Sequence, residues 1–310
     1  MISLRARAIR FITAQLFKNI SGDDEVEPLR DMMEKLAKRS SPAAGTHIRH
    51  ATISGVECDW VVPRNCDESR VLLYLHGGAY IMGSSRTHRT MVSHIAKQAG
   101  VRAVLPNYRL GPEDPFPAGL EDCLSVYRQL LASGISPERV VIGGDSAGGG
   151  MAMATLLSLR DSGDPMPAAA CLLSPWLDLA GDGESMKTRA GPDPWFRAED
   201  MPKVAAHYCL KSQLRDPQVS PIYGDMHGLP PVLIQVGDHE VLLSDSTRLA
   251  DKITAAGGMV TLQVWPQMWH VFQYFVGKMP ESRRAINQIA AFLRTHLDAA
   301  HSATATSQAA

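Results

Sequence analysis

Apolar and polar positions along the chain follow two rhythms, and the change between them lies near residue 46. Before it, Leu4, Ala8, Phe11, Ile12 and Leu16 recur at helical spacing, and Val26, Leu29, Met33 and Leu36 repeat the pattern, which predicts two amphipathic helices. Ser40-Ser41-Pro42 punctuates them off. After it come short β-rich runs: HIRHATIS and VECDWVVP, then VLLYLH at 71–76, VRAVLP at 101–106, RVVIGG at 139–144, AAACLLS at 168–174, PVLIQV at 231–236 and MVTLQVW at 259–265. These predict about eight strands. Helix-like stretches at 88–99, 118–132, 147–160, 243–256 and 281–298 separate the later ones, and several strands lack polar alternation, as strands buried on both faces do. Strand alternating with helix predicts an α/β fold on a mostly parallel sheet.

One connection is far longer than an ordinary crossover. Between Ser174 and Pro231 lie 56 residues with a helix-like stretch near 199–210, which reads as an insertion over the sheet. The organisation expected is therefore cap helices at 1–45, a first part of the core at 46–180, a cap insertion at 181–218, a second part of the core at 219–300 and a disordered tail at 301–310. Trp195, Phe196, Met201 and Tyr208 of the insertion are candidates to line a pocket beneath it.

Composition narrows the function classes. Hydrophobic residues at 45% and charged residues at 20% fit a folded globular chain of 310 residues. The 31 Lys and Arg against 32 Asp and Glu leave no electrostatic footprint for a phosphate backbone, so nucleic acid is not an expected partner. Five cysteines without a CxxC pair fit neither a disulfide framework nor a zinc site, and a reducing cytoplasm is the expected location. Arg10, Thr13 and Gln15 interrupt any signal-peptide core, and no stretch approaches a transmembrane span. Arg5, Arg7, Arg10 and Lys18 flank the first helix; packing against its own chain is the expectation, with a membrane-surface helix as the alternative.

Candidate chemistry starts at Gly144-Asp145-Ser146-Ala147-Gly148, a GxSxG pattern between a predicted strand and a predicted helix. A sharp turn there lifts the serine above the sheet, and small neighbours permit the crowding. A serine hydroxyl is a poor nucleophile at neutral pH, so acyl transfer needs a base, an acid and oxyanion donors. His76-Gly77-Gly78-Ala79-Tyr80 follows the strand VLLYLH and offers backbone N–H groups. His270 follows MVTLQVW after a short loop, where a base is expected. Asp238 and Glu240, both after PVLIQV, compete for the acid. The chain order serine, acid, histidine is that of an α/β-hydrolase.

At this point the chain resembles the bacterial esterases of the hormone-sensitive-lipase-like family, through HGGAY, Tyr108-Arg109-Leu110-Gly111-Pro112-Glu113, GDSAGGG, Ser174-Pro175-Trp176, Val219-Ser220-Pro221 and His270-Val271-Phe272. The resemblance implies an α/β-hydrolase fold with an eight-stranded, mostly parallel sheet, flanking helices and a helical cap. It also implies ester hydrolysis with no metal or organic cofactor. Ser146 matches the family nucleophile and His270 its base; Gly77, Gly78, Ala79 and Ala147 match its oxyanion donors. The segment from Glu240 to Asp245 is similar to the one that opens with the family acid, which selects Glu240 over Asp238, although the family usually has Asp followed by Pro. Ala79 stands where many members have glycine and Gly111 where alanine is usual. Tyr80 and Asp145, beside the two loops, join Trp195, Phe196 and Tyr208 as expected substrate contacts.

The expected activity is that of a serine carboxylesterase on short-chain esters, working through an acyl-enzyme. A lactone hydrolase with the same triad, and a non-catalytic small-molecule receptor on the same fold, are the alternatives. A small-molecule ester is the expected partner, with a homodimer possible through the end strand MVTLQVW.

Overall fold

A computed structural model describes residues 2–191 and 193–307. Eight strands form one sheet: β1 (Thr46–Ile53), β2 (Val56–Pro63), β3 (Asp67–Leu75), β4 (Val101–Pro106), β5 (Val140–Asp145), β6 (Ala169–Leu173), β7 (Val232–Gly237) and β8 (Val260–Trp265). Their order is β1-β2-β4-β3-β5-β6-β7-β8. β2 runs antiparallel to both its neighbours, and every pair from β4 to β8 is parallel. The mostly parallel eight-stranded sheet expected from the sequence is the one observed.

Period-two alternation along a wholly apolar strand explains why helices cover both faces. Val71, Leu73 and Leu75 of β3 enter one core, with α4 (Ala118–Ala132), α5 (Ala147–Asp161) and α8 (Leu243–Ala255) packed over it. Leu72 and Tyr74 enter the other, covered by α3 (Ser85–Ala99) and α9 (Pro280–Ser307). α3 begins three residues before the predicted start because Ser84 and Thr87 form a reciprocal capping box there. β3 begins four residues early, at the polar stretch Asp67–Arg70, where its register against β4 shifts. α9 runs to Ser307, into the segment expected as a tail; residues 308–310 lie outside the described residues.

Above the carboxyl ends of the strands lie α1 (Leu4–Phe17), α2 (Val26–Ala37) and the long β6–β7 connection, which carries α6 (Ser185–Thr188) and α7 (Met201–Tyr208). The two parts meet where Phe17 and Trp195 pack with ring centroids 4.4 Å apart. The Arg197 guanidinium donates to the Lys18 carbonyl, and Lys203 pairs with Asp23.

Candidate active site

Ser146 stands between β5 and α5 with φ 53° and ψ −126°, a conformation that L-residues rarely adopt. Neighbouring backbone imposes it. The Ser146 amide donates to the Leu173 carbonyl at 2.9 Å, and its own carbonyl accepts from Gly149, Gly150 and Trp176. The crowding is real: a Cβ on Gly144 would collide with the Gly148 carbonyl, and one on Gly148 with the carbonyls of Leu75 and His76.

Glu240 and His270 come together from the loops after β7 and β8. Glu240 Oε2 lies 2.8 Å from His270 Nδ1, while Oε1 accepts from the Ser174 hydroxyl at 2.8 Å and from the Gly237 amide at 2.5 Å. Ser174 also accepts from the Val271 amide at 3.1 Å, so one hydroxyl ties both loops. A fully buried carboxylate needs every one of these donors. Burial alone would lower the His270 pKa, but the hydrogen bond and charge of Glu240, with the charge of Asp193, hold it above the ordinary histidine value. Asp238 is elsewhere: its Oδ1 accepts from the Gln267 amide at 2.5 Å and closes the turn after β8.

The loop after β3 departs from expectation at Gly77. Its amide donates to Asp145 Oδ1 at 3.2 Å and lies equally close to His88 Nε2, facing a buried cluster rather than the serine. Gly78, Ala79 and Tyr80 then follow with φ of 128°, 56° and 64°, which turns the next amides away from that cluster. The amides of Gly78 and Ala79 have no hydrogen-bond partner among the described residues, and Ala147, at the start of α5, has no intrahelical acceptor. Asp145, expected as a substrate contact, lines the same cavity as Ser146 and is also engaged by the protein itself. Its carboxylate accepts from Tyr74 and Gly77 and faces His88; burial would raise its pKa, yet His88 and the Tyr74 hydroxyl hold it below the ordinary aspartate value.

A family model described as the α/β-hydrolase fold matches residues 72–274. The chain is 42% identical over 271 residues to an acetyl-hydrolase from Streptomyces hygroscopicus, covering 87% of this chain and 90% of that one. The crystal structure of an esterase from the bacterial hormone-sensitive lipase family superposes with a TM-score of 0.92 at 39% identity, covering 96% and 99% of the two chains. That of the esterase EstE5, soaked with p-nitrophenyl butyrate, gives 0.90 at 39% identity, with 96% and 99% covered. The chain belongs to the α/β-hydrolase family, in its bacterial hormone-sensitive-lipase-like branch.

In this hydrolase Ser146, His270, Gly78 and Ala79 face a cavity of about 140 Å³. Phe17, Ile20, Leu29, Met32 and Met33 of the N-terminal part line it, with Met82 and with Trp195, Phe196 and Val204 of the insertion. Phe196 meets the His270 ring edge-on at 4.8 Å. Trp195 and Phe196 are thus where the sequence placed them. Tyr80 and Tyr208 are not: they stack on each other at 3.9 Å inside the core, against Phe116, because the positive φ at Tyr80 turns its ring away from the cavity. No hydrogen bond joins Ser146 Oγ to His270 among the described residues; such contacts tighten when substrate binds.

Two residues that the sequence reading did not single out fasten the cap to this site. Arg30 of α2 donates to the carbonyls of Ile81 and Gly111 at 2.7 and 2.9 Å and forms a two-pronged pair with Glu113 at 3.0 and 2.7 Å. Asp193 accepts from the amides of Trp195 and Phe196 on one oxygen and from Val241, beside Glu240, on the other. Burial pushes its carboxyl up to about 6, against the pull of the His270 charge and with the push of Glu240. Their partners Gly111 and Glu113, inside the motif from Tyr108, and Trp195 and Phe196 carried a sequence signal, but Arg30 and Asp193 themselves did not. No group of His, Cys, Asp and Glu suited to a metal occurs among the described residues.

Proposed function

We propose that this hydrolase, a serine-type esterase of carboxylic ester bonds, uses Ser146 as nucleophile, His270 as base and Glu240 as the orienting acid, and prefers short acyl chains. Ser146 Oγ attacks the ester carbonyl as His270 Nε2 takes its proton. The amides of Gly78, Ala79 and Ala147 receive the oxyanion. The proton passes to the leaving alcohol, and water activated by His270 then releases the acid from the acyl-enzyme. The observation that carries this reading is the Ser174–Glu240–His270 hydrogen-bonded chain ending at the cavity that holds Ser146.

Short acyl chains suit a small apolar cavity closed by α1, α2 and Trp195–Phe196. The butyrate ester soaked into EstE5 supports the same size range. We place the protein in the cytoplasm, where its five free cysteines stay reduced, and no described helix is long and apolar enough to cross a membrane. The edge of β8, with Met259 and Val264 exposed, is the surface for a homodimer. A serine-directed fluorophosphonate tests the core of the proposal. Peptide mass mapping should find the adduct on Ser146 with hydrolysis of p-nitrophenyl butyrate abolished; labelling elsewhere with activity intact refutes it.

A further inference from the structure

Helix α1 presents its apolar face outward. It meets the rest of the chain through Ala6, Ile9, Thr13 and Phe17, with Ser3 bonded to Glu281 at its start. Its bulkiest other apolar side chains are exposed instead: Leu4 by 81%, Phe11 by 66%, Ile12 by 55% and Leu16 by 53%. Spacings of seven, one and four keep these four on one side of the helix, so they form a patch and are not scattered. A cap helix that belongs only to its own chain would bury that side.

Charge says what covers it. Arg5, Arg7 and Lys18 are exposed along the same helix, and no Asp or Glu occurs before Asp23, in a chain whose total charge is only −1. A second copy of the chain meeting this face about a twofold axis would bring two cationic patches together. An anionic bilayer would neutralise them while taking up the apolar side chains.

We propose that α1 is a peripheral docking helix for anionic lipid surfaces, with Leu4, Phe11, Ile12 and Leu16 among the acyl chains and Arg5, Arg7 and Lys18 at the headgroup phosphates. With 14 residues it is too short to span. Phe17, its last residue, lines the catalytic cavity together with Ile20, so docking holds that cavity at the bilayer surface.

Co-sedimentation of the full chain with vesicles tests this. Wild type should pellet with mixed phosphatidylglycerol and phosphatidylcholine vesicles and stay in solution with phosphatidylcholine alone. A Phe11→Ser/Leu16→Ser variant, and separately Arg5→Gln/Arg7→Gln, should lose about tenfold in partition, and added salt should weaken wild type likewise. Both variants should hydrolyse a dissolved short ester at the wild-type rate, a readout independent of vesicle binding. Three results overturn the proposal: no binding to anionic vesicles, binding that both variants retain, or a dimer in sedimentation equilibrium that Phe11→Ser/Leu16→Ser splits.

Discussion

The turn that carries Ser146 and the cap that closes the cavity above it are held by different forces. Around Ser146, four backbone hydrogen bonds and glycine contacts without room for a methyl group leave one conformation, on strands whose side chains are buried on both faces. The cap is tied by side chains instead: Arg30 to Glu113, Lys203 to Asp23, Arg197 to the Lys18 carbonyl. The Lys203–Asp23 pair lies in solvent, where water and salt screen it. In the proposed mechanism, reaction chemistry therefore sits on the rigid part and substrate choice on the loosely tied part. Changes in the first should abolish turnover, and changes in the second should redistribute it.

The largest effect belongs to the first part. Ser146→Ala should keep its fold and lose about three or more orders of magnitude in kcat, since the proposed mechanism makes Ser146 Oγ the bond-forming atom. Retained turnover in the purified variant would dissolve the contrast altogether. Next is the acid. Glu240→Gln should lose about two or more orders, because the amide cannot stabilise imidazolium and its NH₂ cannot accept from Ser174, Gly237 or His270. Asp238→Asn should stay within about threefold of wild type, its hydrogen bond being to the Gln267 amide in the turn after β8 and its other neighbour the His239 ring. Kinetics of both variants, with circular dichroism as a folding control, would move the role to Asp238 if the ranking reversed.

A smaller effect is expected where the cap is tied down. Arg30→Met removes the bonds to Ile81 and Gly111 and the Glu113 pair, freeing α2 above the oxyanion loop. KM for a short ester should rise about tenfold while kcat changes less, and Arg30→Lys should recover only part of the loss because a single ammonium cannot reproduce the fork. A fall in kcat alone would mean that the cap shapes the reacting geometry as directly as the core does.

The same contrast governs what could be read from the sequence. Strand positions in the core were legible because uninterrupted apolar runs have one use in a covered parallel sheet, and the serine turn because glycine spacing marks a crowded strand-to-helix turn. Side-chain direction was not. Nothing in His76-Gly77-Gly78-Ala79-Tyr80 reveals that the Gly77 amide goes to Asp145, or that φ turns positive from Gly78 and the Tyr80 ring enters the core. Periodicity found α1 but could not say which face its chain would cover, and the covered face is the one with Ala6 and Thr13. Asp193 and Arg30 act through backbone groups distant in sequence, and such contacts leave no local pattern.

Asp193 is where the two regions touch, and the smallest predicted effect tests that junction. In the proposed mechanism only neutral His270 accepts the serine proton, so the rate should rise with pH through the His270 ionisation. That pKa lies above the ordinary histidine value: burial opposes the charge, but Glu240 and then Asp193 favour the imidazolium more strongly. The acid limb of kcat/KM should accordingly inflect above the range of an unperturbed histidine. Asp193→Asn removes one of the negative charges that act on the ring beside Glu240 and Asp145, which makes the imidazolium easier to deprotonate and moves the limb to lower pH. At pH near 6 the variant should then keep a larger fraction of its own plateau rate than wild type does. Because Asp193 itself takes up a proton at about 6, the wild-type limb contains two coupled ionisations and the variant's only one. The plateau should fall less than about tenfold, through the lost acceptor for the Val241 amide. A limb that stays in place, with only the plateau lowered, would reduce Asp193 to a cap fastening and separate the two regions completely.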